Sequence, residues 1–288
     1  MKFININPEF TFMRFARFLS ILLFLVFLPV LRAQETHGPG SESSPVYTDF
    51  QKRDYRFYPG GKIGISLEVP GDLKIIGWDR GSVLVEAEIT VRSLPEEKAR
   101  TLLEKSSIPR VRYTNSDSTI QVSELPGLKG LLEVNLTVYV PTAKTDLTMQ
   151  LRSGNFVIDK VNGWIETTLA EGNMRLTDID GYFSGKTRKG NISVSLSGNR
   201  LSGQGFTAIT DEGRVDLILP EKYSAMLQLD TRNGEITVDY PAQEVEGELI
   251  PIEVATQKKT QQLRARVGDG GAPLRLGTLS GDVSLSKK

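Results

Sequence analysis

From about residue 50 onward, the chain alternates apolar and polar positions. Leu132, Val134, Leu136, Val138 and Val140 share one phase, and Glu133, Asn135, Thr137 and Tyr139 share the other. A period of two is that of a strand with one buried face. Pro141 ends the run, because proline cannot donate to a ladder. Only one segment has helical character. Ser93-Leu94-Pro95-Glu96 has the form of a capping box with proline in the first turn, and it predicts a short helix near 94–105. Two further strands are expected near 110–114 and 119–122, joined by the turn-rich Asn115-Ser116-Asp117-Ser118.

The strongest pattern is a repeat. Gly71, Gly154, Gly172, Gly190, Gly213, Gly234 and Gly281 are each followed at +2 and +4 by apolar residues. The pairs are Leu73/Ile75, Phe156/Ile158, Met174/Leu176, Ile192/Val194, Val215/Leu217, Ile236/Val238 and Val283/Leu285. Gly163 and Gly181 add a second mark nine residues into the first two full units. Each unit therefore holds two short strands and two turns. A period near 20 residues in a β-rich chain predicts an all-β, single-stranded β-solenoid or stacked β-strand repeat, with the +2 and +4 side chains facing inward. The pattern lapses between Tyr240 and Leu274 and returns at Gly281, so the last segment is expected to supply the closing strands.

The N-terminus changes the picture of where this body resides. Arg14 and Arg17 precede a largely apolar run, Phe18–Leu31, followed by Arg32-Ala33-Gln34. Fourteen residues are short for a membrane span and suit the apolar region of a signal peptide. Residues 1–33 are read as that signal, and 34–49 as a flexible linker rich in Ser, Gly and Pro. Met13 offers an alternative start, which leaves the translation of residues 1–12 open. Residues 50–288 form the β-repeat domain. No stable transmembrane span is expected after cleavage, and the exported chain is expected in the periplasm, on the cell surface or outside the cell.

Particular residues in this body resemble a known family. They are Phe57-Tyr58-Pro59-Gly60-Gly61, then Ile65-Ser66-Leu67, then Gly71-Asp72-Leu73-Lys74-Ile75-Ile76-Gly77-Trp78-Asp79-Arg80 before Val83-Leu84-Val85. Val140-Pro141, Leu151-x-Ser153-Gly154-Asn155, Gly270-Gly271 and Thr278-Leu279-Ser280-Gly281-Asp282-Val283 complete the set. Over about residues 50–288 the chain resembles the bacterial "putative adhesin" family of repeated β-strands. The resemblance implies an all-β fold outside the cytoplasm. It implies no catalytic residues.

Candidate chemistry is sparse. Cysteine is absent, which excludes disulfides, thiolate metal sites, a cysteine nucleophile and a lipoprotein anchor. The one histidine, His37, lies in the linker with nothing to orient it. Lys+Arg 35 balances Asp+Glu 35, so the basic excess of a nucleic-acid binder is missing. Asp178-Ile179-Asp180-Gly181 lacks the spaced ligands of a calcium loop, and Gly60-Gly61-Lys62 lacks the phosphate-loop pattern. Glu166, Asp216, Glu235 and Asp239 are expected on strands, with Arg175, Lys186, Arg188 and Arg214 beside them on outward faces. They suit a solvated β face or paired carboxylates for sugar hydrolysis. Trp78 and Trp164 are the candidate ligand contacts, as sugar-stacking platforms or as core residues.

No catalytic, metal or cofactor site is expected. The functional expectation is an exported, non-catalytic, adhesin-like interaction module for an unidentified envelope, glycan or protein partner. The alternatives are a polysaccharide-active enzyme on a solenoid face and an accessory of envelope-stress signalling.

Overall fold

A computed structural model describes residues 45–241, 245–253 and 259–288. The proposed signal segment, Met13 and His37 lie outside the described residues. The first described strand includes Val46–Asp49 of the expected linker.

The opening part contains β1 (Val46–Arg56), β2 (Lys62–Pro70), β3 (Leu73–Trp78), β4 (Ser82–Arg92), α1 (Glu96–Glu104), β5 (Arg110–Tyr113), β6 (Asp117–Val122) and β7 (Leu132–Pro141). The repeat follows as β8 (Asp146–Ser153), β9 (Phe156–Asp159), β10 (Asn162–Glu171), β11 (Met174–Thr177), β12 (Asp180–Lys189), β13 (Ile192–Ser195), β14 (Gly205–Glu212) and β15 (Val215–Leu219). The chain ends with β16 (Ala225–Thr231), β17 (Ile236–Asp239), β18 (Val245–Glu253), β19 (Lys259–Val267), β20 (Pro273–Ser280) and β21 (Val283–Lys287). No described helix is long and apolar enough to cross a membrane.

The strands form two open sheets. The ten-stranded sheet has the order β1-β4-β7-β3-β9-β11-β13-β15-β21-β17. The eleven-stranded sheet has the order β18-β19-β16-β20-β14-β12-β10-β8-β2-β6-β5. Each repeat unit places a longer strand in the second sheet, turns at its glycine, and places a short strand in the first. Successive units pair in parallel, with Leu147 beside Ile165, Ile165 beside Phe183 and Phe183 beside Phe206. Those side chains fill one core between the sheets together with Phe156, Ile158, Met174 and Leu176. The Phe183 and Phe206 rings stack at 4.7 Å.

The fold departs from an unbroken single-stranded solenoid in two ways. Each unit feeds two sheets rather than one, and antiparallel strands flank the parallel stack at both ends. β1, β4 and β7 pair antiparallel at one end, as do β5 and β6. β16, β19 and β18 do so at the other. The last strands do not close the stack either. β20 lies between β14 and β16, and β21 lies between β15 and β17, so the C-terminal coil is inserted into the array.

The glycine anchors stand in one column along the stack. A Cβ on Gly172 would lie 1.9 Å from the Gly154 carbonyl oxygen, and one on Gly190 would lie 1.9 Å from that of Gly172. The column runs on through Gly213, Gly281 and Gly234. Coils can therefore stack at hydrogen-bonding distance only where this position has no side chain. Two ladders support it. In one, an Asn or Asp that follows a glycine accepts from the adjoining coil: Asn173 Oδ1 receives the Asn191 N–H at 2.9 Å, and Asn191 Oδ1 receives that of Arg214 at 2.9 Å. Three residues before the later glycines stands a buried threonine. Thr210, Thr278 and Thr231 donate to the carbonyls of Gly190, Gly213 and Gly281 at 2.9, 2.8 and 2.7 Å.

All but one of the +2 and +4 residues are buried as expected. The exception is Val238, 40% exposed on β17, where the ten-stranded sheet ends and pairing comes from β21 alone. The helix is present, but the capping box does not form. Pro95 is the N-cap, with no side-chain cap bond. Ser93 adopts φ +62° and donates its N–H to the Pro45 carbonyl, so pairing beside the sheet edge takes the residue that would have capped the helix. α1 buries Ala99 and Leu103 against the core.

Candidate ligand-binding face

The two tryptophans lie on different sheets and are not brought together. Trp78 ends β3, where its Nε1 donates to the Ser82 carbonyl at 2.8 Å. The Tyr139 ring packs on it at 5.2 Å, and the Arg80 guanidinium sits 4.8 Å from its centre. Its polar atom and its surface are used to pin the turn from β3 to β4.

Trp164 is different. It begins the outward face of β10, and the inward neighbour Ile165 is fully buried. Its indole stays 42% exposed and stacks on Tyr182 of β12 at 3.9 Å with 23° between the planes. Nε1 donates to Glu166 Oε1 at 2.8 Å, and the backbone N–H donates to Asp146 Oδ1 at 3.0 Å. The ring is therefore held in orientation with apolar surface left open. In the same row, Tyr182 is followed by Gly205 of β14, and a Cβ at Gly205 would touch Pro273 of β20. Trp, Tyr, Gly and Pro thus form a low apolar shelf across four adjacent strands.

The same outward face carries a groove of about 440 Å³ over β14, β20 and β16. Gly277 stands between Ile209 and Asp230, and its missing side chain opens the floor. Thr207, Gln228, Arg232, Arg275 and Leu279 line it. Arg264 grips Asp230 through two bonds of 3.1 and 3.2 Å, which fixes one wall. β14, whose Thr207 and Ile209 line the near side of the groove, pairs directly with β12, so the strands of shelf and groove are about 5 Å apart.

The candidate carboxylates do not converge. Glu166 lies on the eleven-stranded sheet and holds Trp164. Asp216 and Asp239 lie on the ten-stranded sheet, two strands apart, and Glu235 precedes β17. Asp216 accepts from Arg214 and from Ser284, each at 2.5 Å. Lys186 pairs with Asp211 at 3.1 Å, and Arg188 pairs with Glu171. In the calcium-like turn, Asp180 accepts from the Ser202 N–H at 2.8 Å, and Lys288 Nζ stands 3.7 Å from Asp178.

Tyr182 and the groove residues were not expected from the chain. Tyr182 had a usable signal, since Trp164 and Tyr182 each follow a second-mark glycine in adjacent 18-residue units. The groove had none, because β20 reaches β14 only through the inserted coil.

No family model and no curated protein matches the chain. Among solved structures, a "putative cell adhesion protein" from Clostridium sporogenes shares 13% identity over 83% of this chain and 100% of its own, with a TM-score of 0.46. A "putative adhesin" from Bacteroides fragilis shares 9% over 83% and 97%, with a TM-score of 0.29. The chain is similar to bacterial "putative adhesins". A "putative lipid binding protein" from Parabacteroides distasonis is also similar, at 10% identity over 83% and 97%, with a TM-score of 0.23. Identities and scores this low leave the chain's role to be argued from its own residues.

Proposed function

We propose that this chain is an exported, non-catalytic, adhesin-like binding module. Its binding surface is the outward face of the eleven-stranded sheet, and its partner is an extended polar polymer such as an envelope glycan. The observation that carries the reading is the exposed Trp164–Tyr182 stack, held by hydrogen bonds on a flat face beside the Gly277 groove. Aromatic shelves take the apolar face of a sugar ring, and Thr, Gln and Arg side chains along a groove take its hydroxyl or acidic groups. The parallel pairing of the repeat strands keeps shelf and groove in fixed relation, as suits a long partner.

The test is a glycan array probed with the purified chain, followed by Arg275→Gln and Trp164→Ala. Retained glycan binding in the wild type, weakened by both changes, supports the reading. No binding to any polysaccharide removes it. Cleavage of a polysaccharide that is lost on changing Asp216 or Glu235 would replace it with the enzymatic one.

A further inference from the structure

β1 is the outer strand of the ten-stranded sheet among the described residues, and it is 11 residues long. Long open edges template pairing with another chain unless something blunts them. The usual blunting device is a free lysine, yet Lys52 is drawn off by Glu86 on the neighbouring strand at 2.8 Å. Phe50 is 73% exposed on the outward side of the same edge. On the inward side Gln51 and Arg53 are exposed, and Arg53 has no ion-pair partner among the described residues.

The sequence of the strand is complementary to itself. Set antiparallel to its own copy about Gln51, β1 places Asp49 opposite Arg53 twice, once from each chain. The same register puts Phe50 opposite Lys52, Thr48 opposite Asp54, and Tyr47 opposite Tyr55. No like charges face each other. Centring the pair on Lys52 instead sets Lys52 against itself, and centring it on Phe50 loses both Asp49–Arg53 pairs. Opposite-charge and aromatic cross-strand pairs stabilise a sheet, and directly opposed like charges destabilise it.

From this we propose that β1 is a homodimerisation edge, at which a second copy of the chain pairs antiparallel about Gln51 and continues the ten-stranded sheet across a two-fold axis. Such an axis is perpendicular to the sheet. It therefore turns the eleven-stranded faces of both copies to the same side, where one long partner could engage both.

The experiment is sedimentation of the purified chain over a range of concentrations, beside Asp49→Arg and Arg53→Asp. The wild type is expected to dimerise. Each single variant turns two attractive pairs into repulsive ones and is expected to weaken the dimer by about thirtyfold. An equimolar mixture of the two variants restores attraction at both pairs, so a heterodimer of near wild-type strength is expected. That rescue also shows that each variant is folded. A wild-type chain that stays monomeric, single variants that dimerise as well as the wild type, or a mixture that fails to associate would each overturn the proposal.

Discussion

Replacing Gly190 by alanine tests the glycine column at its centre. Gly190 has φ +142°, a region that an L side chain rarely adopts. A Cβ there would sit 1.9 Å from the Gly172 oxygen, about 1.5 Å inside the 3.4 Å of an ordinary contact. The neighbouring coil would have to retreat by that amount. Two bonds between these coils, Gly172 N–H to Lys189 at 2.8 Å and Met174 N–H to Asn191 at 2.9 Å, would then pass beyond hydrogen-bonding range. Backbone strain costs about 1–3 kcal/mol and each lost bond about 1 kcal/mol, which gives about 3–5 kcal/mol in all. That is a large part of the roughly 5–15 kcal/mol that holds a domain folded. Gly198→Ala is the control, because Gly198 also has positive φ, +74°, but a Cβ there meets nothing within 4 Å. It should cost about 1 kcal/mol, from conformation alone. Urea unfolding followed by far-ultraviolet circular dichroism measures both. Equal midpoint shifts for the two variants would show that close stacking at the column is not what requires glycine.

Three further predictions concern buried polar groups. Thr167 is buried with its hydroxyl unbonded, so Thr167→Val should leave stability unchanged or raise it. Thr210→Val, which removes the 2.9 Å bond to Gly190, should lower stability by about 1 kcal/mol in the same unfolding assay. Burial pushes the Tyr55 phenol up to about 12, against an opposing bond with Ser118. Its raised value means the folded state favours the protonated form, so this contribution is intact below pH of about 10 and is lost as pH rises from about 10 to about 12. Tyr55→Phe should flatten that part of the alkaline stability profile, and an unchanged slope would contradict the assignment.

Much of the fold was legible because a two-residue period and a recurring glycine are local signals. The +2 and +4 residues were readable as core at every position but one. Val238 escaped because its exposure depends on being in the last strand of a sheet, which its own coil does not reveal. The insertion of β20 and β21 was hidden for a related reason. All coils present the same Gly-x-apolar-x-apolar face, so any coil can stack on any other, and local pattern does not decide the order. The Asn ladder and the Thr three residues before glycine were visible in the chain, but their role appears only when coils lie side by side. Ser93 shows the opposite case, where a good local cap pattern yields to pairing at the sheet edge. In the candidate site, Trp164 was found by residue type, whereas Arg275 and Gly277 reach it only through that non-local order.

The most direct test of the binding account is the affinity of the chain for a polysaccharide found on the array, compared between wild type and Trp164→Ala. Losing the exposed Trp164 ring removes its stacking on a bound sugar and should weaken binding by about tenfold, since an aromatic stack is worth up to about 1.5 kcal/mol beyond its buried area. The urea midpoint should hardly move, because the ring lies outside the core. Equal affinity in the two proteins would contradict the account, as would a loss of affinity that follows only from unfolding.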